Sequence, residues 1–365
     1  MAKKRVIPKP KTPKKSSPRR SKATPLKISA KVWLIAAGIL LLFITWYITY
    51  ASNTAFRSPA YYIYVYRGTD ADALADTLSD RGAIKSTITF RWMASLLSIG
   101  KIRPGMYRFE KGWGNFHLLT NVDTEELRPT QLIDLAEFRS RKRTIKELSR
   151  LTNTNETELL NLLKDEDETD DLGGFTTESV YCIFRPGRYR VYKNMKPEEV
   201  LEYMSCQYVQ LWNKERQAEC SDLDLTEDEA VILASIVYSE TKQRSEMADI
   251  AGVYINRLHD NMKLESDPTV LFANTKMDSR RVTNDHLAIE SDYNTYKRKG
   301  LPPGPICIVP AFVIDEVLKY DKHNYYYFCA KEDMSGTHNF AKDFTEHKAN
   351  ADRYRKALNK KKIYK

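Results

Sequence analysis

The run from Ala230 to Glu240 is apolar apart from two serines and its last member. Leu233, Ile236, Val237 and Glu240 fall at i, i+3, i+4 and i+7, one stripe of an α-helix. A glutamate that ends such a stripe faces the same side as the core. Desolvation there disfavours the carboxylate. The negative end of the helix dipole does the same, because Glu240 falls in the last turn. A carboxyl group that keeps its proton near neutral pH is what glycosidic-bond cleavage requires, since the leaving oxygen must be protonated. A helix that ends by Ser239 and turns Glu240 to solvent is the alternative reading of the same residues.

Polar residues suited to a carbohydrate follow. Ser266, Asp267, Pro268 and Thr269 form a polar turn, and Tyr293, Asn294, Thr295 and Tyr296 set two aromatic faces, an amide and a hydroxyl in adjacent positions. Sugars are bound by such faces and by groups that match their hydroxyls. The proline-rich stretch 300–305 has few conformations and suits a rigid support for that loop. Asn256 and Arg257 are candidate polar supports, or simply a solvated helix face. His338 and His347 are nine apart, a spacing of no metal motif, and read as core or surface histidines. Five cysteines show no CxxC spacing, so neither a zinc site nor a disulfide framework is indicated, and buried free thiols are expected. No metal and no cofactor is expected.

The elements that must position these residues are short and mixed. Residues 61–66 alternate as a strand, 70–81 and 84–97 carry helical spacing, and 106–109 form a second strand after the Pro104-Gly105 turn. A strand is expected at 128–135 and helices at 142–151 and 155–163. The acidic run 165–171 reads as a solvated loop. A single helix is expected over 197–220. Thr226 and Glu229 make a capping box that opens the Glu240 helix. Further helices are expected at 245–259, 311–318 and 344–360 and a strand at 325–330, with a loop-rich stretch before Pro310. The fold class is therefore α+β.

The formal net charge of +10 misleads, because residues 1–31 hold twelve Lys or Arg and no acid, leaving about −2 for the rest. An uncharged run from Val32 to Phe56 follows, long enough for a bilayer core, with Trp33 at one end and Trp46, Tyr47 and Tyr50 at the other. The cation asymmetry places the tail in the cytoplasm and the body outside. The expected organisation is a basic cytoplasmic tail at 1–31, a transmembrane helix at 32–52, a small α+β subdomain at 57–130, a connecting region at 131–220 and a catalytic domain at 221–365. A basic tail ahead of a membrane span argues for an anionic membrane face and against nucleic acid.

The stretch Ala234 to Thr241 resembles the signature of the MltG/YceG-like endolytic murein transglycosylases. So do Val253 to Leu258, Met262 to Val270, the blocks at 293–296 and 300–306, and the residues at 338–340 and 345–347. Upstream, 68–107 is similar to that family's LysM-like subdomain. The resemblance implies that Glu240 is the catalytic acid and then base, and that Ser266, Asp267, Thr269, Tyr293, Asn294, Thr295 and Tyr296 bind the glycan. It implies cleavage between N-acetylmuramic acid and N-acetylglucosamine with a 1,6-anhydro end, and a role in ending or releasing nascent strands. It also implies an inner-membrane protein with its catalytic domain outside the cytoplasm. Peptidoglycan and the membrane are then the partners, with wall-synthesis proteins as further ones to expect. Some positions depart from the pattern. Tyr238 stands where many relatives carry a second Glu, Glu265 replaces a common Gln, and 184–189 lacks the usual acid. A hydrolytic muramidase, with Asp267 as its second carboxylate, and a non-catalytic glycan-binding scaffold are the competing readings.

Overall fold

A computed structural model describes residues 29–124, 127–137, 140–274 and 284–360, in which helices dominate and strands occur only as antiparallel pairs. The basic tail before Ser29 lies outside the described residues. Helix α1 (Ala30–Tyr50) carries no charge beyond Lys31, is predominantly apolar and buries none of its residues in the protein. Its 21 residues are long and apolar enough to cross a membrane. Residues Met1–Tyr47 form one unit and Ile48–Lys365 a second.

The second unit begins with β1 (Ala60–Val65), α2 (Ala71–Asp80), α3 (Thr87–Leu96) and β2 (Gly105–Glu110). β1 and β2 pair antiparallel with Tyr62 opposite Arg108. Asp70 and Ser86 cap α2 and α3 by accepting from Ala73 N–H and Thr89 N–H. Helix α4 (Asn115–Thr124) leads to a second strand pair, β3 (Thr130–Leu135) with β4 (Gly187–Tyr192). Between these lie α5 (Arg141–Thr152), α6 (Glu156–Leu162), α7 (Glu166–Asp171) and a 3₁₀ turn at Ser179–Ile183. The β4 strand escapes sequence reading because arginines alternate with its buried Tyr189 and Val191.

Two expectations are corrected here. The acidic run is not a loop but helix α7, because Asp165 caps it through Asp167 N–H and Glu168 N–H. Its acids also fall in the first turn, where the helix dipole favours them. The helix expected over 197–220 is two, α8 (Pro197–Leu211) and α9 (Lys214–Asp222). Asn213 breaks it by turning extended and accepting from Arg216 N–H. The β1 and β2 pair leans on α8: Tyr62 N–H donates to Cys206 Sγ and the Tyr62 hydroxyl to Glu202. All five cysteines are free; four are buried and Cys329 is half-buried.

Helix α10 (Glu227–Glu240) opens on the expected capping box, with Thr226 and Glu229 each accepting the other's N–H. It is more deeply placed than a stripe implies, since every residue from Ala230 to Tyr238 is buried. Around it stand α11 (Met247–His259), preceded by a 3₁₀ turn at Arg244–Glu246, α12 (Asp267–Ala273), α13 (Asn284–Leu287) and α14 (Ala311–Leu318). The last strand pair, β5 (Tyr327–Ala330) with β6 (His338–Ala341), and α15 (Phe344–Lys360) complete the unit. The architecture is α+β with one N-terminal apolar helix.

Candidate active site

Glu240 is the last residue of α10, and Thr241 after it is extended. The helix therefore carries the carboxylate to its end rather than stopping at Ser239. Glu240 is half-buried. Its Oε1 accepts from the Ser266 hydroxyl at 2.6 Å and from the Tyr254 hydroxyl at 2.7 Å. Among the described residues no protein donor reaches Oε2. Burial raises the Glu240 pKa above the ordinary carboxylate range; the two hydroxyl bonds oppose this, the nearby charge of Asp267 reinforces it and His338 opposes it. Tyr254, itself buried beside Glu240, is held protonated by that burial first and by the carboxylate second.

Each donor is fixed by its own element. Tyr254 is on the buried face of α11 and packs edge-on against Phe328 of β5 with ring centres 5.8 Å apart. Ser266 precedes α12 and is held from behind by the 293–296 segment. Its N–H donates to Thr295 Oγ1 at 2.9 Å, and Thr269 and Thr295 share a 2.8 Å hydroxyl contact. Asn294 is fully buried; its amide donates to the carbonyls of Leu287 and Ile289, and its Oδ1 accepts from Tyr296 N–H. That clamp aims the Tyr296 hydroxyl at Asp267 Oδ1, 2.6 Å away. Burial first, then this bond to Asp267, raises the Tyr296 pKa.

A cavity of about 280 Å³ opens at Glu240, lined by Tyr254, Arg257, Glu265, Asp267, Tyr296, Tyr327, Phe344 and His347 among others. The sequence-derived candidates thus divide. Glu240, Asp267 and Tyr296 line the cavity, and buried Ser266 touches the carboxylate from behind. Thr269, Asn294 and Thr295 stand behind it as supports. Tyr293 is not brought to it: its hydroxyl donates to Glu178 at 2.5 Å and accepts from Arg141 at 2.8 Å.

Arg141 is a contact that sequence reasoning missed. Its guanidinium donates to the Pro305 carbonyl and to Glu178, and lies 4.4 Å from the Tyr181 ring centre and 4.8 Å from that of Phe272. It ties α5 to the proline-rich stretch. Ile306 N–H is pinned in turn to Ser235 Oγ on α10, 2.9 Å away. Gly304 is required in this seam, because a Cβ there would sit 2.2 Å from the Glu178 carbonyl oxygen. Asn256 and Arg257 are supports rather than a solvated face. Asn256 donates to the carbonyls of His323 and Tyr325, and buried Arg257 to those of Tyr326, Lys263 and Leu264.

The outer wall is aromatic. His347 stacks on Tyr327 with ring centres 5.3 Å apart, and Phe344 lies 6.0 Å from Tyr327 and is exposed. Burial, then the charge of Arg257, lowers the His347 pKa and favours the neutral ring. His338 is turned elsewhere, with its Nδ1 3.1 Å from buried Glu246. Among the described residues no cluster of His, Cys, Asp and Glu could hold a metal.

The YceG-like family's model matches residues 63–353, most of the chain and all of this site. The chain belongs to the YceG-like family. A Bacillus subtilis protein named endolytic murein transglycosylase is 26% identical over 319 residues, covering 80% of this chain and 84% of that protein. A Streptococcus pneumoniae protein of the same name is 24% identical over 290 residues, covering 72% of this chain and 53% of that longer relative. A crystal structure of a yceG-like protein from Listeria monocytogenes shares the fold, with a TM-score of 0.50 and 19% identity over 80% of this chain and 98% of that one.

Proposed function

We propose that the protein is a membrane-anchored lytic transglycosylase that cuts the glycan strands of peptidoglycan, with Glu240 as its single acid and base. The observation that carries this reading is the placement of Glu240. It is a carboxyl group with a raised pKa at a helix end, both hydroxyl donors fall on one oxygen, and the other oxygen is left to a cavity. Protonated Glu240 gives its proton to the oxygen between N-acetylmuramic acid and N-acetylglucosamine, and the C1–O bond breaks. The carboxylate then takes the proton of the muramoyl C6 hydroxyl, and that oxygen closes on C1 as a 1,6-anhydro ring. The proton returns to Glu240 and water is not consumed. A second carboxylate to activate water or attack C1 is therefore not needed. Ser266 and Tyr254 steady the anion between the two transfers, so the group is neither too weak an acid nor too weak a base.

Asp267, held by Tyr296, supplies a nearby negative charge that adds to burial in raising the Glu240 pKa and favours positive charge developing on the sugar. The wall of Tyr327, Phe344 and His347 offers ring faces to a pyranose. The β1-α2-α3-β2 unit supports the reading of 57–130 as LysM-like, with 131–220 connecting it to a catalytic region at 221–365. Helix α1 serves as a single-pass anchor in the cytoplasmic membrane, with the basic tail inside and the body outside. Placed there, the enzyme can end or release strands as they are made. The test is to digest purified glycan strands with the full chain and identify the new ends by mass spectrometry. Ends lighter by one water than hydrolysed ones support the proposal. Hydrated ends make the protein a muramidase, and binding without cutting makes it a scaffold.

A further inference from the structure

Helix α3 carries an apolar stripe that nothing in the described protein covers. Ile88, Trp92 and Leu96 recur every four residues and are 79%, 46% and 61% exposed, while Phe90, Met93 and Ala94 of the same helix are buried. A contiguous exposed apolar surface of this kind marks a contact site rather than scattered surface residues.

The position of α3 follows from a short hydrogen-bonded path to the last turn of α1. The Ile48 carbonyl accepts from Asn115 Nδ2 at 2.8 Å, and Asn115 Oδ1 accepts from Asn53 Nδ2 at 2.7 Å. Asn53 also donates to the Ser86 carbonyl at 2.9 Å, and its Oδ1 accepts from Ser86 N–H at 2.8 Å. Ser86 is the N-cap of α3. Both asparagines are buried, so this path is a fixed part of the unit Ile48–Lys365. Gly114 lies against the same turn, where a Cβ would come within 2.7 Å of the Tyr50 carbonyl oxygen. Ile88 is thus two residues beyond a cap that is tied to the end of the apolar helix. The whole of α3 is only about 15 Å long. The headgroup layer on each side of a bilayer core is roughly 5–8 Å deep, about half the length of α3.

We propose that Ile88, Trp92 and Leu96 dock on the lipid surface of the membrane that α1 enters, laying the β1-α2-α3-β2 unit against the bilayer. The proposal rests on the reading of α1 as a membrane span. Lipid is the occupant that the chemistry favours. Tryptophan prefers the headgroup level, with its ring in the apolar layer and its N–H in the wet one. Ile88 and Leu96 supply apolar side chains on either side of it. Lys85 beside the stripe, anchored by its Nζ to the Ser52 carbonyl at 3.2 Å, offers a cation to lipid phosphates. Docking sets the height and tilt of the body, and so the distance from the membrane at which Glu240 meets a strand.

The test uses the full chain in vesicles of phosphatidylethanolamine and phosphatidylglycerol. Spin labels are placed one at a time at I88C, W92C and L96C in a C329S background, since the other four thiols are buried. Labels at L40C in the span and at exposed K348C serve as references. Lipid docking predicts that the stripe labels meet dissolved oxygen more readily than a water-soluble nickel chelate, as L40C does and K348C does not. Brominated lipid should quench the wild type more than W92F. Stripe labels as open to nickel as K348C overturn the proposal. So do labels shielded from both reagents in micelles as well as vesicles, which would mean a protein partner or a second copy. Labels immobilised only by added glycan strands overturn it in favour of a sugar. If L40C is itself open to nickel, the anchor reading has failed; L40C in lipid with Ile88 in water sinks the docking alone.

Discussion

Replacing Glu240 by glutamine separates chemistry from shape. The amide keeps a carbonyl oxygen where Oε1 accepts from Ser266 and Tyr254, so the cavity should be preserved while the transferable proton is lost. A positioned general acid or base contributes about 10²–10⁴-fold, or roughly 3–5 kcal/mol at 1.36 kcal/mol per tenfold. If one group serves both transfers, as proposed, E240Q should sit at or beyond the upper end of that range. The folded protein gives a second readout. Its Glu240 pKa is raised, chiefly by burial. The folded state therefore holds this proton at pH values where the unfolded chain has released it. The wild type loses stability as pH rises from the unfolded carboxylate pKa, about 4.3, through the higher folded one. E240Q escapes that loss. It should melt at a higher temperature than the wild type at neutral pH and show no such advantage at pH 3.5. The assay pairs anhydro-end counts from purified strands with melting curves at the two pH values. An E240Q enzyme that cuts within tenfold of wild type would refute the assignment. A variant that melts lower at neutral pH would refute the account of burial.

Other substitutions probe the parts around it. Y254F and S266A each remove a bond that lowers the Glu240 pKa, so the alkaline limb of the pH–rate profile should move to higher pH; an unmoved limb in both would deny those hydroxyls their role. F344A removes an exposed ring from the cavity wall, so stability should change by less than about 0.5 kcal/mol while KM for glycan rises and kcat holds; an unchanged KM would remove Phe344 from the binding surface. R141A should cost about 2 kcal/mol in chemical denaturation, the scale of hydrogen bonds to a charged group, because the Pro305 carbonyl and Tyr293 lose their donor. A loss under 0.5 kcal/mol would mean that the seam is held without it.

Much of the site was legible because its key residue obeys helical spacing. The capping box at Thr226 sets where α10 starts, and the apolar run then carries Glu240 to the end of the helix. The polar turn at 266–269 and the 293–296 segment were visible as sugar-like chemistry, yet sequence alone could not say which of their side chains face the cavity. Thr295 and Asn294 spend their polar groups on backbone and on Ser266, and Tyr293 points to Arg141, because a turn distributes adjacent side chains in different directions. Arg141 itself is 99 residues from Glu240 along the chain, and no local pattern marks an arginine whose partners Tyr293 and Pro305 lie more than 150 residues ahead. Local capping likewise overruled composition at Asp165 and Asn213, where a single capping side chain in each case made a helix of an acidic run and broke a longer one.

Asp267 decides between the two enzymatic readings. It lines the cavity with Glu240, is exposed, and is engaged by the Tyr296 hydroxyl. A hydrolase needs this carboxylate to activate water or attack C1, so D267N would abolish turnover by 10² or more. In the transglycosylase reading Asp267 acts through its charge, which helps raise the Glu240 pKa. Removing that charge lowers the pKa, so D267N should keep cutting, still produce anhydro ends, and lose activity at a lower pH than the wild type. The shift is opposite in sign to that of S266A, although both residues stand in the same turn before and at the start of α12. Opposed displacements of one alkaline limb would be hard to obtain from general loosening of the site, which moves every variant the same way. If D267N abolishes cutting while keeping glycan affinity, the single-carboxylate mechanism is wrong.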